Sequence, residues 1–267
     1  MPNNNFSLGI VGIGTVGTAT VKLLEKEIDN VNHKSGKNII IKAISSKNFS
    51  KCRDIDISKY EWEKDPEKLV VREDIDAVVE LIGGSDGIAK KLAYSSIKNK
   101  KHFITANKAL IAKHGYDLNK SILDADVSIY YEAAVAGAIP VINGIKNGLI
   151  SNNILKIEAI LNGTCNYILS DMTNNGSSFK ESLIKAKALG FAESDSTFDI
   201  EGIDSAHKLV ILGMLAYGAK PDINKVYIEG ISSVSSEDIK YANRLGFIIK
   251  LFCIAKIENN KLDFRVH

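Results

Sequence analysis

A short apolar run, Phe6-Ser-Leu-Gly-Ile-Val11, leads straight into Gly12-Ile13-Gly14-Thr15-Val16-Gly17, and a helical repeat of apolar positions (Val21, Leu24, Ile28) follows. No other feature limits the fold as tightly. In the GxGxxG spacing the first glycine permits a sharp turn and the second leaves room for a pyrophosphate against the backbone. The third lets the helix lie close to the strand. The helix N-terminus adds partial positive charge for the phosphates. The run therefore reads as a dinucleotide-binding turn, with Gly12, Ile13, Gly14, Thr15, Val16 and Gly17 as cofactor-binding positions. The alternative is a glycine turn that only packs.

The rest of the chain extends this pattern. Asn38–Ser45 is a second β-rich run, and further strand candidates lie at 77–82, 102–105 and 127–132. Helical stretches at 88–99 and 110–124 separate them. Strands alternating with helices predict an α/β fold, a Rossmann-like doubly wound parallel sheet over residues 1–139. The character changes after Pro140. Helices are expected at 141–149, 166–172, 178–189, 204–217 and 235–243. Strands are expected at 154–161, 226–231 and 247–257, the last paired with a strand starting at Lys261. Residues 140–267 thus read as a second, α+β domain. The segment Lys261–His267 reads as a strand that stops mid-element, the mark of a truncated chain.

Composition excludes several classes. Among 267 residues, 34 Lys and Arg face 32 Asp and Glu, a net charge of +2, and no basic cluster exceeds Lys100-Lys101. Nucleic acid is therefore not an expected partner. No apolar run is long enough to span a bilayer, and the N-terminus lacks a basic stretch followed by an apolar one. Cys52, Cys165 and Cys253 have neither metal-ligand nor disulfide-framework spacing. A cytoplasmic location away from membranes is expected.

Cofactor choice should be legible at the end of the second strand, where a carboxylate would grip the ribose 2′-OH of NAD. Ala43-Ile44-Ser45-Ser46-Lys47 offers two hydroxyls and a lysine instead, which suits the 2′-phosphate of NADP, with NAD as the alternative. Ligands of such sheets bind at the carboxyl ends of the strands. Gly83-Gly84 closes one strand there, and Thr105, Asn107 and Lys108 close the next and would face the cleft. Lys108 is a candidate cation, or a surface lysine at a helix start.

The run from Gly190 to Lys208 holds Glu193, Asp195, Asp199, Glu201 and Asp204 among Phe191, Phe198, Ile200 and Ile203. Interleaved apolar residues imply that several carboxylates lie against a packed surface, where they must be paired. Asp204 and Lys208 stand four apart, on one helical face. The pair is either part of a site or a surface ion pair.

Taken together, Gly12–Gly17, Glu80-Leu-Ile-Gly-Gly84, Thr105-Ala-Asn-Lys-Ala-Leu110, Glu132-Ala-Ala-Val-Ala-Gly-Ala-Ile-Pro140, Leu161-Asn-Gly-Thr-Cys-Asn-Tyr-Ile-Leu169 and the Gly190–Lys208 run resemble homoserine dehydrogenase through the whole chain. The resemblance implies an NAD(P)-dependent interconversion of L-homoserine and L-aspartate 4-semialdehyde, on the route to threonine and methionine. It also implies a homodimer, with the second domain serving substrate binding, catalysis and dimerisation. By the same resemblance Lys208 is the proton donor and acceptor, Lys108 a second lysine near nicotinamide and substrate, and Asp204 a catalytic carboxylate. Glu193, Asp199, Thr164 and Lys208 form the substrate-binding set, with Glu193 on the substrate ammonium. Thr105 and Lys108 join the glycine loop as cofactor-binding positions. Glu132, Val135, Gly137 and Ile139 resemble a sodium site made of a carboxylate and main-chain carbonyls; an ordinary turn with a half-buried glutamate is the alternative.

Two rival readings remain. An aspartate-semialdehyde-dehydrogenase-like enzyme would need Cys165 as a nucleophile, and no histidine base stands near it in sequence. A non-catalytic NADP-sensing module would need only the glycine loop. His207 is expected on the helix face opposite Lys208, and His114 at a helix end.

Overall fold

The computed structural model describes residues 4–48, 54–259 and 261–267, so Cys52 lies outside the described residues. The chain divides into two compact units, one ending at Pro140 and the other beginning at Val141.

The first unit opens with β1 (Asn5–Val11), α1 (Thr15–Ser35) and β2 (Asn38–Ser45). It continues with β3 (Glu61–Glu63), α2 (Pro66–Val70), β4 (Ala77–Glu80), α3 (Ile88–Lys98), β5 (His102–Thr105), α4 (Lys108–Ser121) and β6 (Ile129–Tyr130). The six strands form one sheet in the order β3-β2-β1-β4-β5-β6, and every pairing is parallel. The doubly wound α/β expectation holds, and the strand order reverses between β1 and β4. All four residues of β4 are buried, as a sheet covered on both faces requires. Ile10, Val78 and Phe103 are fully enclosed. Each such side chain stabilises the core by roughly 1.5–3 kcal/mol.

Some boundaries differ from the sequence expectations. Helix α1 runs on to Ser35 and stops at Gly36, whose φ of 66° caps it in the left-handed conformation. The strand expected at 127–132 is only Ile129–Tyr130, because Glu132 already begins a 3-10 turn. Strand β3 and helix α2 carried no expectation. The helix nonetheless has a sequence signal, since Asp65 accepts from the Glu67 N–H at 3.0 Å and Pro66 occupies the first turn. Its Leu69 seats against β1 at Gly9, where an added Cβ would stand 2.1 Å from Leu69 Cδ2.

The second unit begins with α5 (Val141–Asn143), which continues as a π turn over Gly144–Gly148. Then come β7 (Lys156–Ala159), α6 (Gly163–Asn175), α7 (Phe179–Ala188), α8 (Thr197–Ile200) and α9 (Ile203–Tyr217). Strand β8 (Tyr227–Ile228), α10 (Ser236–Arg244), β9 (Cys253–Glu258) and β10 (Lys261–Val266) complete it. Its sheet has the order β7-β9-β10-β8, antiparallel except for the β10–β8 pair. Ile168, Leu169 and Met172 of α6, Ala206 and Leu209 of α9, and Cys253, Ala255, Phe264 and Val266 of the sheet share one core. Phe264 presses on bare helix backbone, since a Cβ on Gly213 would fall 2.2 Å from its ring. The expected strand 247–257 shrinks to Cys253–Glu258. A mutual Phe252–His267 backbone pair adjoins its ladder with β10. Among the described residues, no helix is long and apolar enough to cross a membrane.

Candidate active site

The turn between β1 and α1 has the three glycine geometries that the spacing predicts. Gly12 adopts φ +97°, and its N–H donates to the Ser45 carbonyl at 2.8 Å. An added Cβ on Gly17 would lie 1.9 Å from the Gly12 oxygen, so only glycine lets α1 start this close to the strand. On Gly14 an added Cβ would meet nothing within 4 Å, which leaves the backbone open to an approaching group. Helix α1 has no acidic residue in its first turn, so its positive end is not neutralised. A pocket of about 720 Å³ adjoins the turn, lined among others by Gly12, Gly14, Ser45, Lys47, Lys64 and Ile82. This open cradle fits the pyrophosphate of a dinucleotide. Thr15 and Val16 stand exposed on the first turn of α1. Lys64 was not foreseen. Strand β3 pairs Glu63 with Ser45, and that long-range pairing brings Lys64 to the end of β2.

Behind the cradle, at the carboxyl ends of β4 and β5, sits a fully buried carboxylate. Glu80 Oε1 accepts from the N–H groups of Ile82 (2.8 Å) and Gly83 (3.0 Å), and Oε2 accepts from the Thr105 hydroxyl at 2.6 Å. The Thr105 oxygen in turn accepts from the Asn107 N–H at 2.9 Å. Asn107 donates through Nδ2 to the Gly84 carbonyl (2.7 Å) and caps α4 by accepting from the Leu110 N–H (3.1 Å). Thr105 and Asn107 are therefore buried and do not face the cleft. Their polar groups are engaged by neighbouring loops, so they shape the surface rather than form it. Lys108, the first residue of α4, is half-buried. His114 lies inside α4 rather than at its end, with Nε2 3.1 Å from Asp86.

The segment with the candidate cation ligands is a 3-10 turn, Glu132–Ala134, followed by an irregular stretch. Glu132 is half-buried, Val135 buried, and Gly137 and Ile139 exposed. Ala136 and Ala138 both have positive φ, 51° and 68°. A left-handed conformation is costly for alanine.

In the second unit the acidic run and α6 meet. Lys208 Nζ lies 2.7 Å from Asp204 Oδ2 and donates to the Leu161 carbonyl at 2.8 Å. The side chains of Lys208 and Asp204 are 18% and 3% exposed, so a half-buried lysine meets a buried carboxylate and the pair is not a solvated surface one. Asn162 organises it. Its Nδ2 donates to Asp204 (3.1 Å) and Asp199 (2.8 Å), while its Oδ1 caps α6 by accepting from the Cys165 N–H at 2.8 Å. Asn162 was not singled out from sequence, although an asparagine just before a helical repeat is an N-cap signal. The Thr164 hydroxyl is buried and donates to the Phe191 carbonyl, with Asp199 3.5 Å away. Glu193 stands exposed on the loop between α7 and α8 and has no contact with this cluster among the bonds above.

The expectation that the interleaved apolar residues bury the carboxylates holds only in part. Phe191 and Phe198 are 53% and 45% exposed. Phe191 stacks on Tyr167 and Phe198 leans on the His207 ring. Asp195 serves the backbone, accepting from the Thr197 N–H at 3.1 Å. Cys165 is fully buried, its thiol pushed up to about 12 by burial and then by Asp199 and Asp204, and Sγ contacts the Asp199 carbonyl at 3.2 Å. A thiol held protonated in this way is a poor nucleophile. Among the described residues no cluster of three His, Cys, Asp or Glu could hold a metal ion.

Comparison with known proteins fits both halves. Residues 12–132 match the family model described as homoserine dehydrogenase, NAD binding domain, and residues 140–267 match homoserine dehydrogenase. The homoserine dehydrogenase of Neisseria gonorrhoeae is 42% identical over 261 residues, which are 98% of this chain and 60% of that protein. The crystal structure of a homoserine dehydrogenase from Thiobacillus denitrificans superposes with a TM-score of 0.91 at 40% identity, covering 98% of this chain and 61% of that one. A putative homoserine dehydrogenase from Archaeoglobus fulgidus gives 0.85 at 28% identity, with 98% and 84% covered. The chain spans about 60% of the length of the curated relatives it matches. Over the residues present, its glycine cradle and its Asn162–Asp204–Lys208 cluster belong to one lineage: the chain is a member of the homoserine dehydrogenase family.

Proposed function

We propose that the chain interconverts L-homoserine and L-aspartate 4-semialdehyde, a step on the route to threonine and methionine. The observation that carries the reading is the half-buried Lys208 held on the buried Asp204, with its Asn162 support. A bound nicotinamide dinucleotide supplies the hydride acceptor or donor. The protein must then move the hydroxyl proton. In aldehyde reduction an ammonium has three N–H donors; Asp204 and Leu161 take two, and the third gives its proton to the substrate oxygen. In alcohol oxidation the neutral amine keeps those two contacts and takes the hydroxyl proton on its lone pair. Asp204 fixes the ammonium in place, and Asn162 fixes Asp204. Lys208 is the proton relay, and Lys108 polarises the oxygen. Glu193, exposed and anionic, holds the substrate ammonium, with Asp199 and Thr164 shaping the floor.

NADP is the proposed cofactor. Lys47 and Lys64 on the rim, with Ser45 and Ser46, offer charge and hydroxyls for a 2′-phosphate, and no carboxylate ends β2. The Glu132–Ile139 turn is the proposed sodium site, where hard oxygen ligands suit such a cation. A cytoplasmic homodimer completes the reading. Initial rates with L-homoserine, measured with NADP and NAD in parallel, test it: homoserine-dependent reduction faster with NADP is expected. Reduction that needs phosphate and is abolished by Cys165→Ala would favour the semialdehyde-dehydrogenase-like alternative.

A further inference from the structure

Glu80 has a property that the proposed chemistry does not use. It is a carboxylate with no exposed surface, sited at the carboxyl end of a central strand, and neutral groups satisfy it. Its three donors come from two different loops: the N–H groups of Ile82 and Gly83 after β4, and the Thr105 hydroxyl after β5. Enclosing a carboxylate is costly unless its oxygens are fully engaged. A glutamine or an apolar residue would fill the same space without that cost, so stability alone is a weak reason for a carboxylate here. The donors supply a better reason. A carboxylate can only accept, which forces the Thr105 hydroxyl to point at it and leaves the Thr105 oxygen free to receive the Asn107 N–H. Asn107 then grips the Gly84 carbonyl and caps α4. Direction runs along the whole chain of bonds.

We propose that Glu80 is a positioning residue of the cofactor site. Its carboxylate locks the Ile82–Gly84 loop, whose Ile82 and Gly83 line the pocket beside the glycine turn, to the Thr105–Asn107 loop, which begins α4 at Lys108. It touches neither cofactor nor substrate. The inference rests on the dinucleotide reading of the pocket and not on the identity of the alcohol oxidised.

Titration of the full chain with NADPH, followed by nicotinamide fluorescence, tests it without turnover. Glu80→Gln replaces the acceptor facing Thr105 with a donor. Its NADPH Kd should rise by about tenfold, the scale of one charge-assisted hydrogen bond, while KM for homoserine stays within about twofold. Thr105→Val should weaken NADPH to the same degree, and Thr105→Ser should restore it. The double variant Glu80→Gln with Thr105→Val should be no worse than the worse single one, because both remove the same link. Wild-type affinity in Glu80→Gln, or penalties that add, would overturn the proposal. Should Glu80→Gln not fold, the Thr105 pair decides: unchanged affinity in Thr105→Val overturns it, and loss with rescue by serine supports it. A wild-type chain that binds NADPH but does not oxidise homoserine contradicts the substrate reading alone; one that binds no dinucleotide contradicts both.

Discussion

The two units each bury a carboxylate beside their proposed working surface, and they satisfy it in opposite ways. In the first unit Glu80 is held by two backbone N–H groups and a hydroxyl, and the groups it fixes are loops. In the second unit Asp204 is held by an amide and a lysine, and the group it fixes is a charged side chain. The first unit therefore builds its surface from backbone geometry, with the open face of Gly14 as its centre. The second builds its surface from side-chain chemistry on helices α6 and α9. Substitutions at the first unit's working surface should change cofactor affinity, and those at the second unit's should change turnover.

The largest effect expected from this contrast is at Asp204. Asp204→Ala leaves Lys208 with its charge poorly partnered, and loss of one member of a buried pair costs about 3–5 kcal/mol. Thermal melting should show that loss, and kcat should fall at least a hundredfold while NADPH affinity holds. Unchanged melting would place the pair at the surface and break the comparison.

Asp171 separates burial from function within the same unit. It is 7% exposed and accepts from Ser182 (2.7 Å), Asn175 (2.7 Å) and Lys185 (3.1 Å). These donors, Ser182 foremost, hold its carboxyl well below the usual carboxylate range. A depressed folded-state pKa means that folding favours the ionised form. The stabilisation is thus complete above the unfolded value of roughly 4 and drains away as pH falls below it. Asp171→Asn should cost about 2–3 kcal/mol at pH 7 and flatten the acid limb of the melting profile, with kcat per folded molecule unchanged. A parallel loss of turnover would contradict the division between structural and working carboxylates.

Gly17 and Gly14 sharpen the first unit's side of the contrast. Gly17→Ala drives a Cβ into the Gly12 carbonyl and should destabilise by about 1–3 kcal/mol. Gly14→Ala meets open space and should melt within about 0.5 kcal/mol of wild type, yet weaken dinucleotide binding about tenfold. Equal effects of the two substitutions on melting would contradict the cradle. The smallest effect is expected at Lys64, where Lys64→Ala should weaken NADP a few-fold and leave NAD unchanged, read as a ratio of the two KM values.

What the sequence made legible follows the same divide. The turn geometry at Gly12, Gly14 and Gly17 was readable because local spacing alone dictates it, and the parallel sheet follows from strand–helix alternation. Lys64 was not readable, since only the pairing of β3 with β2 brings it to Ser45. Thr105 was misread as cleft-facing because strand-end position does not reveal which neighbour takes the hydroxyl. In the second unit the four-residue spacing placed Lys208 and Asp204 on one face, but spacing cannot say whether that face is buried. Asn162 decides the point from 42 positions away in sequence.

The central claim is that a half-buried lysine on α9, held by a buried aspartate, moves the proton of homoserine oxidation. Initial rates of NADP reduction by L-homoserine, taken for wild type and Lys208→Ala beside their NADPH dissociation constants, test it most directly. The account predicts homoserine-dependent reduction in the wild type, a fall of about 10²–10⁴ in kcat for the variant, and matching dissociation constants. Near-normal turnover in Lys208→Ala, or no homoserine-dependent reduction by the wild type, would contradict it.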